Sequence, residues 1–248
     1  MHDGAMKNLT GLPLASGLGT YGNDFLEILG IMAHKLSQPL TSLHGTVEVA
    51  LMGELDVAEC RHILEVSLQE TQRMAENLEA LRDALEVERV GAELQPVSWT
   101  RIIVSILEDA ASVDKDKRPH LVNRAKGEVW VKANPYHLNL ATTRLIAGAS
   151  RVVRRGNMVR IILSVDREGA SLTVFEEAVP QNGEDANGVE PPITSEKHVL
   201  GEVDRWIVSR AMERQGGRLT VSQTSKTGLC SQLSLPLAAP EVARTVRP

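Results

Sequence analysis

The sequence predicts an α+β protein. An antiparallel helical hairpin pairs with a second copy into a four-helix bundle, and an α/β sandwich with its helices on a sheet follows. Three observations carry this. Residues 23–52 and 57–89 repeat apolar side chains at steps of three and four, with only Gly53-Glu-Leu-Asp56 between them, so two long helices must run antiparallel. Gly91 to Pro96 then breaks the helical pattern. Beyond it the order is helix, strand, helix, two strands, loop, helix, two strands, which lays helices on one sheet.

Composition narrows the function. A chain of 248 residues holds one large or two small domains. Hydrophobic content of 42% and charged content of 24% are those of an ordinary globular protein. A net charge of −5 argues against nucleic acid as the main partner, and 3% aromatic residues leave little for base stacking. Two cysteines, Cys60 and Cys230, make neither a disulfide framework nor a metal site. Both fall in periodic segments and are expected to be buried thiols. No run approaches the roughly 20 apolar residues of a membrane span, and no basic-then-apolar leader opens the chain. A cytoplasmic protein without a membrane span is expected.

The elements follow in order. Residues 1–22 are rich in glycine and read as a flexible lead-in. Asn23 or Asp24 can cap the first helix. Its stripe is Phe25, Leu29, Met32, Leu36, Leu40, Leu43, Val47 and Ala50. His34 lies two residues from both Met32 and Leu36, about 200° from each, and so on the outer face. Ser37, Gln38, Thr41, Ser42 and Gly45 share that face, and Pro39 bends the helix. A lone imidazole on a smooth polar surface suits docking by another protein. Asp56 caps the second helix, whose seam is Cys60, Leu64, Ser67, Thr71, Met74, Leu78, Leu81 and Leu85. Laid together, the stripes pair Phe25 with Leu85, Leu29 with Leu81, Met32 with Leu78 and Ala50 with Cys60. Such a hairpin cannot cover its own apolar faces, so a homodimer is expected.

In the second domain Ser98 caps a helix to about Ser112, and Asp114 to Pro119 is a charged loop. Residues 128–132 alternate as a strand, and Asn134-Pro135 opens a helix to about Val153. Strands at 158–166 and 171–176 flank the turn Arg167-Glu-Gly169, and 180–197 reads as a loop. A helix over 200–215 stops at Gly216-Gly217, and a last hairpin spans 218–224 and 229–237 across Ser225-Lys-Thr-Gly228. The resulting division is 1–22 lead-in, 23–90 hairpin, 91–240 second domain and 241–248 loose tail.

The string His34-Lys-Leu-Ser-Gln-Pro-Leu-Thr41 resembles the H-box of sensor histidine kinases, matching at His34, Leu36, Pro39, Leu40 and Thr41. The second domain resembles the ATPase-type domain of that family, closely so in Gly216-Gly-Arg-Leu-Thr-Val221 and Leu233-Ser-Leu-Pro-Leu237. The resemblance covers about Asn23 to Leu237. It implies that His34 is a phospho-acceptor that surrenders its phosphoryl group to a receiver aspartate. It places Gln38 at the family's phosphatase position and Lys35 where an acidic residue helps the kinase step.

The family's three nucleotide boxes are altered. Arg144 and Gly148 stand at the asparagine positions of the N-box, and glycine cannot ligate a hard cation. Glu176 follows a strand where the adenine-contacting aspartate is expected, with Ala178 and Pro180 replacing glycines that let the backbone approach a ligand. Gly201 survives in the second glycine box, but Glu202 and Asp204 replace its glycines and would repel phosphate. ATP binding is therefore not expected, no metal site is read, and the Mg²⁺ would come with the receiver. The resemblance then implies a histidine phosphotransferase between response-regulator receivers. Their docking face would hold Ser37, Gln38, Thr41 and Ser42, with Gln69, Gln72 and Arg73 of the second helix. Two alternatives stand beside it: a pseudokinase scaffold that binds a response regulator or a histidine kinase, and an active ATP-dependent kinase. His44, His62, His120, His137 and His198 show no ligand-like spacing, and Arg151, Arg154 and Arg155 read as a solvated helix end.

Overall fold

The computed structural model describes residues 20–91, 93–113, 119–125, 127–153, 157–178, 200–224 and 228–238. Outside them lie most of the lead-in, the loop 114–118, Arg154, Arg155, Pro180, His198, the turn 225–227 and the tail. The chain divides into two compact units, with the boundary between Asn77 and Leu78.

The first unit holds the hairpin. Helix α1 spans Thr20–Met52 and α2 spans Val57–Arg89, each 33 residues, about 50 Å of helix. Helix α1 is already formed at Thr20, so Asn23 and Asp24 lie inside it rather than at its N-cap position. Asp56 does cap α2: its Oδ1 accepts from the Glu59 amide at 2.8 Å, and Glu59 Oε2 accepts from the Asp56 amide at 2.9 Å. This reciprocal pair is a capping box.

The expected stripe of α1 is covered at Phe25, Leu29, Met32, Leu36, Leu43 and Ala50. In α1, Ile28, Met32 and Pro39 are buried, while Leu40 and Val47 are 54% and 40% exposed. In α2 the covered face within this unit is Ile63, Val66, Ser67, Glu70, Met74 and Asn77, whereas Leu64 and Leu68 stand open. Cys60, expected to be buried, is exposed. Leucines mark apolar surface without fixing which side of a helix faces its hairpin partner, and the covered row of α2 lies beside its leucines.

The second unit begins with the last turns of α2. Strand β1 (Gln95–Ser98) pairs antiparallel with β3 (Trp130–Ala133) in a small sheet. Strand β2 (His120–Asn123) runs parallel to β4 (Asn157–Val165) at the edge of a five-stranded sheet ordered β2-β4-β5-β7-β6. Strands β5 (Ala170–Ala178), β6 (Arg218–Thr224) and β7 (Gly228–Leu235) complete it antiparallel. β1 and β2 were not expected; each is four residues long and is defined by pairing with a strand elsewhere in the chain.

Helices α3 (Trp99–Val113), α4 (Pro135–Val152) and α5 (Glu202–Glu213) belong to the same unit. Ile161, Leu163, Leu172 and Leu233 of the sheet are buried with Trp99, Ile103, Leu138, Leu145, Ile207 and Met212 of the helices. Ser98 Oγ accepts from the Arg101 amide, and Asn134 Oδ1 accepts from the amides of Tyr136 and His137 ahead of a first-turn proline. After α5 the chain turns at Gly216, φ +73°, where glycine alone is unstrained.

Candidate functional site

His34 is exposed on α1, and Ser37, Gln38, Thr41 and Ser42 are exposed with it. The hydroxyls of Ser37 and Thr41 donate back to the carbonyls of Ala33 and Ser37, both at 2.9 Å. They are thus folded onto the helix, and the imidazole stands clear of them. Gln69, Gln72 and Arg73 of α2 are exposed too. Lys35, Gln38 and Ser42 share a groove of about 480 Å³ with Glu70, Arg73 and Asn77. Arg73 Nη1 reaches Glu70 Oε1 at 2.9 Å, so the groove holds an ion pair as well as the lysine.

Pro39 leaves a mark on this site. It has no N–H, so the carbonyl of Lys35, four residues earlier, lacks its helical donor. Asn77 Nδ2 donates to that carbonyl at 2.9 Å from α2. The expected pairing sum of 110 between the helices is thus 112 at this bond, 35 with 77. Sequence reasoning missed Asn77. Its signal was a polar residue on a helical face that is otherwise covered.

In the second unit residues of two of the three altered boxes meet, Arg144 with Asp204. Arg144 of α4 binds Asp83 of α2 through Nη2 at 2.5 Å and Nε at 3.2 Å. Its Nη1 binds Asp204 of α5, and Asp204 also takes Arg151 at 3.2 Å. Arg144, Asp83 and Asp204 are only 16%, 11% and 19% exposed. Burial opposes the guanidinium charge, but the hydrogen bond to Asp83 and the field of Asp204 outweigh it and raise the pKa of Arg144. Gly148 is buried one turn further along α4. Glu202 and Asp204 occupy the first turn of α5, whose N-cap Gly201 offers no side chain. They answer the positive end of that helix with the chain's own carboxylates. Glu176 lies in β5 and accepts from Asn157 Nδ2 at 2.7 Å, and Ala178 ends that strand. Arg151, read as solvated, is in part tied down by Asp204. Asp83 was missed because its partner lies 61 residues away.

Two further clusters complete the unit. Glu88 binds Arg210 Nε at 2.5 Å and Arg214 Nη1 at 3.1 Å. His137 is fully buried, with no hydrogen-bond partner for either ring nitrogen among the described residues. Burial lowers its pKa, Arg214 adds to this and Glu88 opposes it. The other described histidines, His44, His62 and His120, are exposed.

Comparison with known proteins agrees with this architecture. No family model matches the chain. It is 28% identical over 150 residues to the sensor protein IrlS of Burkholderia pseudomallei, covering 58% of this chain and 31% of that protein. The chain thus spans about a third of the length of that relative. Among solved structures, the histidine kinase AdeS of Acinetobacter baumannii superposes with a TM-score of 0.57 at 17% identity, over 83% of this chain and 98% of that one. The histidine kinase ThkA, solved in complex with the response regulator protein TrrA, gives 0.61 at 14% identity over 91% of this chain and 68% of that one. The fold is that of a histidine kinase core: a helical hairpin followed by an ATPase-type domain. No helix among the described residues is long and apolar enough to cross a membrane.

Proposed function

We propose that this chain is a histidine phosphotransferase of two-component signalling that works without ATP. A phospho-aspartate on one receiver domain is attacked by an imidazole nitrogen of His34. The N–P bond forms as the acyl-phosphate P–O bond breaks, and the receiver carboxylate leaves. A second receiver aspartate then takes the phosphoryl group from His34 by the reverse step. The receiver brings its own Mg²⁺, so the chain supplies a nucleophile and a docking face. Lys35 attracts the phosphoryl charge, and Gln38 is placed to orient a water for dephosphorylation. Ser37, Thr41 and Ser42, with Gln69, Gln72 and Arg73, form the face on which the receiver sits.

The observation that carries the ATP-free reading is Arg144 held between Asp83 and Asp204. The family would have an asparagine there to ligate Mg²⁺ between the phosphates. A guanidinium cannot ligate a cation, and Gly148 has no ligand to offer. Phosphates entering at α5 would meet Glu202 and Asp204 at the helix end that ordinarily attracts them. These residues do not fit Mg·ATP. Homodimerisation belongs to the same reading. Leu40, Val47, Leu64 and Leu68, 54%, 40%, 69% and 66% exposed in one chain, make the apolar surface that a second copy would cover.

The test is calorimetric titration with Mg·ATP, with the protein mass read in the same samples. No heat at millimolar nucleotide and no added mass are expected. Receiver domains phosphorylated with acetyl phosphate then pass label to the wild type and none to His34→Ala, which stays as dimeric as the wild type. One nucleotide bound per chain followed by a gain of one phosphate would make the protein a kinase. Receiver binding without transfer would make it a scaffold.

A further inference from the structure

We infer that Asn77 is a positioning residue for His34. The inference rests on the reading that His34 carries a phosphoryl group, and it names what holds that side chain in place. An α-helix fixes each turn through bonds from an N–H to the carbonyl four residues before. At Pro39 that bond is missing, and the carbonyl it frees belongs to Lys35, the residue next to His34. The described structure replaces the donor from outside the helix, with Asn77 Nδ2 at 2.9 Å from the Lys35 oxygen. Pro39 is buried and Asn77 is half-buried, so the exchange occurs within the packed face of the hairpin.

The substitution has a mechanical effect. A proline inside a helix is a point of bending, because one restraint has been removed. Here the restraint returns as a tether to the second helix. The turn that presents the imidazole is thereby fixed relative to α2 as well as to its own axis. In-line transfer between an imidazole nitrogen and a receiver aspartate is sensitive to small displacements of the nucleophile, with about 1 Å costing on the order of a hundredfold in rate. Asparagine suits the role because its amide donates without charge. Aspartate, of the same shape, would set a carboxylate against the carbonyl oxygen.

Pro39→Ala makes the inference testable, since alanine restores the N–H and should make Asn77 dispensable. In the protein that keeps Pro39, Asn77→Ala and Asn77→Asp should each lower the single-turnover rate of phosphoryl uptake at saturating phospho-receiver by about tenfold or more. The receiver concentration giving half the maximal rate should stay within about twofold. In the Pro39→Ala protein the same substitutions should change the rate by less than about twofold. Helix content and dimer mass serve as folding controls. Equal losses in both backgrounds, or a loss confined to half-saturation, overturn the inference. A second readout needs no phosphate: the Cε1–H resonance of His34 should move on Asn77→Ala when Pro39 is present and stay fixed when the same change is made in the Pro39→Ala protein. If the wild type takes no phosphate at all, the functional reading fails, while this resonance still decides the role of Asn77. An unmoved resonance overturns it.

Discussion

Arg144 answers two carboxylates that reach it from 61 and 60 residues away. Arg144→Ala would leave Asp83 and Asp204 partly buried beside an empty space, and removal of one partner from such a cluster costs about 3 kcal/mol. The expected result is a lower urea midpoint with an unchanged slope. His137 gives a pH dependence whose sign follows from its lowered pKa. The unfolded imidazole takes up a proton near pH 6.5, whereas the folded one resists. Stability is therefore full above that pH and falls as acid is added, until the folded value is passed. His137→Leu should flatten the urea midpoint between about pH 7 and 5 relative to the wild type, and a slope equal to the wild type's would refute this. Arg144 was legible in the sequence as a residue out of place, but its partners were not. Nothing local in a chain announces which distant carboxylate a guanidinium will find.

Among the elements, most local signals were read correctly, the expected cap of α1 at Asn23 or Asp24 excepted. Asp56, Ser98 and Asn134 each cap the helix they precede, because a cap needs only the next three residues. Asp56→Ala removes the Oδ1 that accepts from the Glu59 amide, while the backbone amide of residue 56 can still donate to Glu59, and should destabilise α2 by about 1 kcal/mol, seen as faster amide exchange in its first turn. Unchanged protection there would show that packing alone holds the helix start. The long strands β4, β5, β6 and β7 were legible from alternation, whereas β1, which contains Pro96, and the edge strand β2 were not. Their existence depends on β3 and β4, strands elsewhere in the chain. The seam of α2 was legible only in part for a related reason: Ser67, Met74 and Leu81 are covered, whereas Cys60, Leu64, Thr71, Leu78 and Leu85 are exposed. Leucines mark apolar surface without saying which neighbour covers it, and the covered row of α2 includes Glu70 and Asn77.

At the scale of the molecule, the two units divide within α2 rather than at its end. The glycine and proline at 91 and 96 made the helix end look like the boundary. Asp83, Ala84 and Val87 are buried, and Asp83 and Glu88 are ion-paired to α4 and α5, so the last turns of α2 belong to the second unit. The open leucines of the first unit make a prediction of assembly. Leu64→Glu with Leu68→Glu should convert a dimer into monomers in light scattering while helix content is largely kept. A dimer unaffected by both changes would place the contact elsewhere.

The guanidinium of Arg144 can be described as a tethered ligand. On the reading proposed above, it would take the place of the family's cation-holding asparagine from within the chain, at an effective concentration that no dilution changes. A nucleotide would compete with an occupant that never leaves, and the receptor would remain full whether the cell is fed or starved. On that reading the output would follow only the phosphorylation state of its partners, and the chain would transmit a signal without sampling the energy supply that created it.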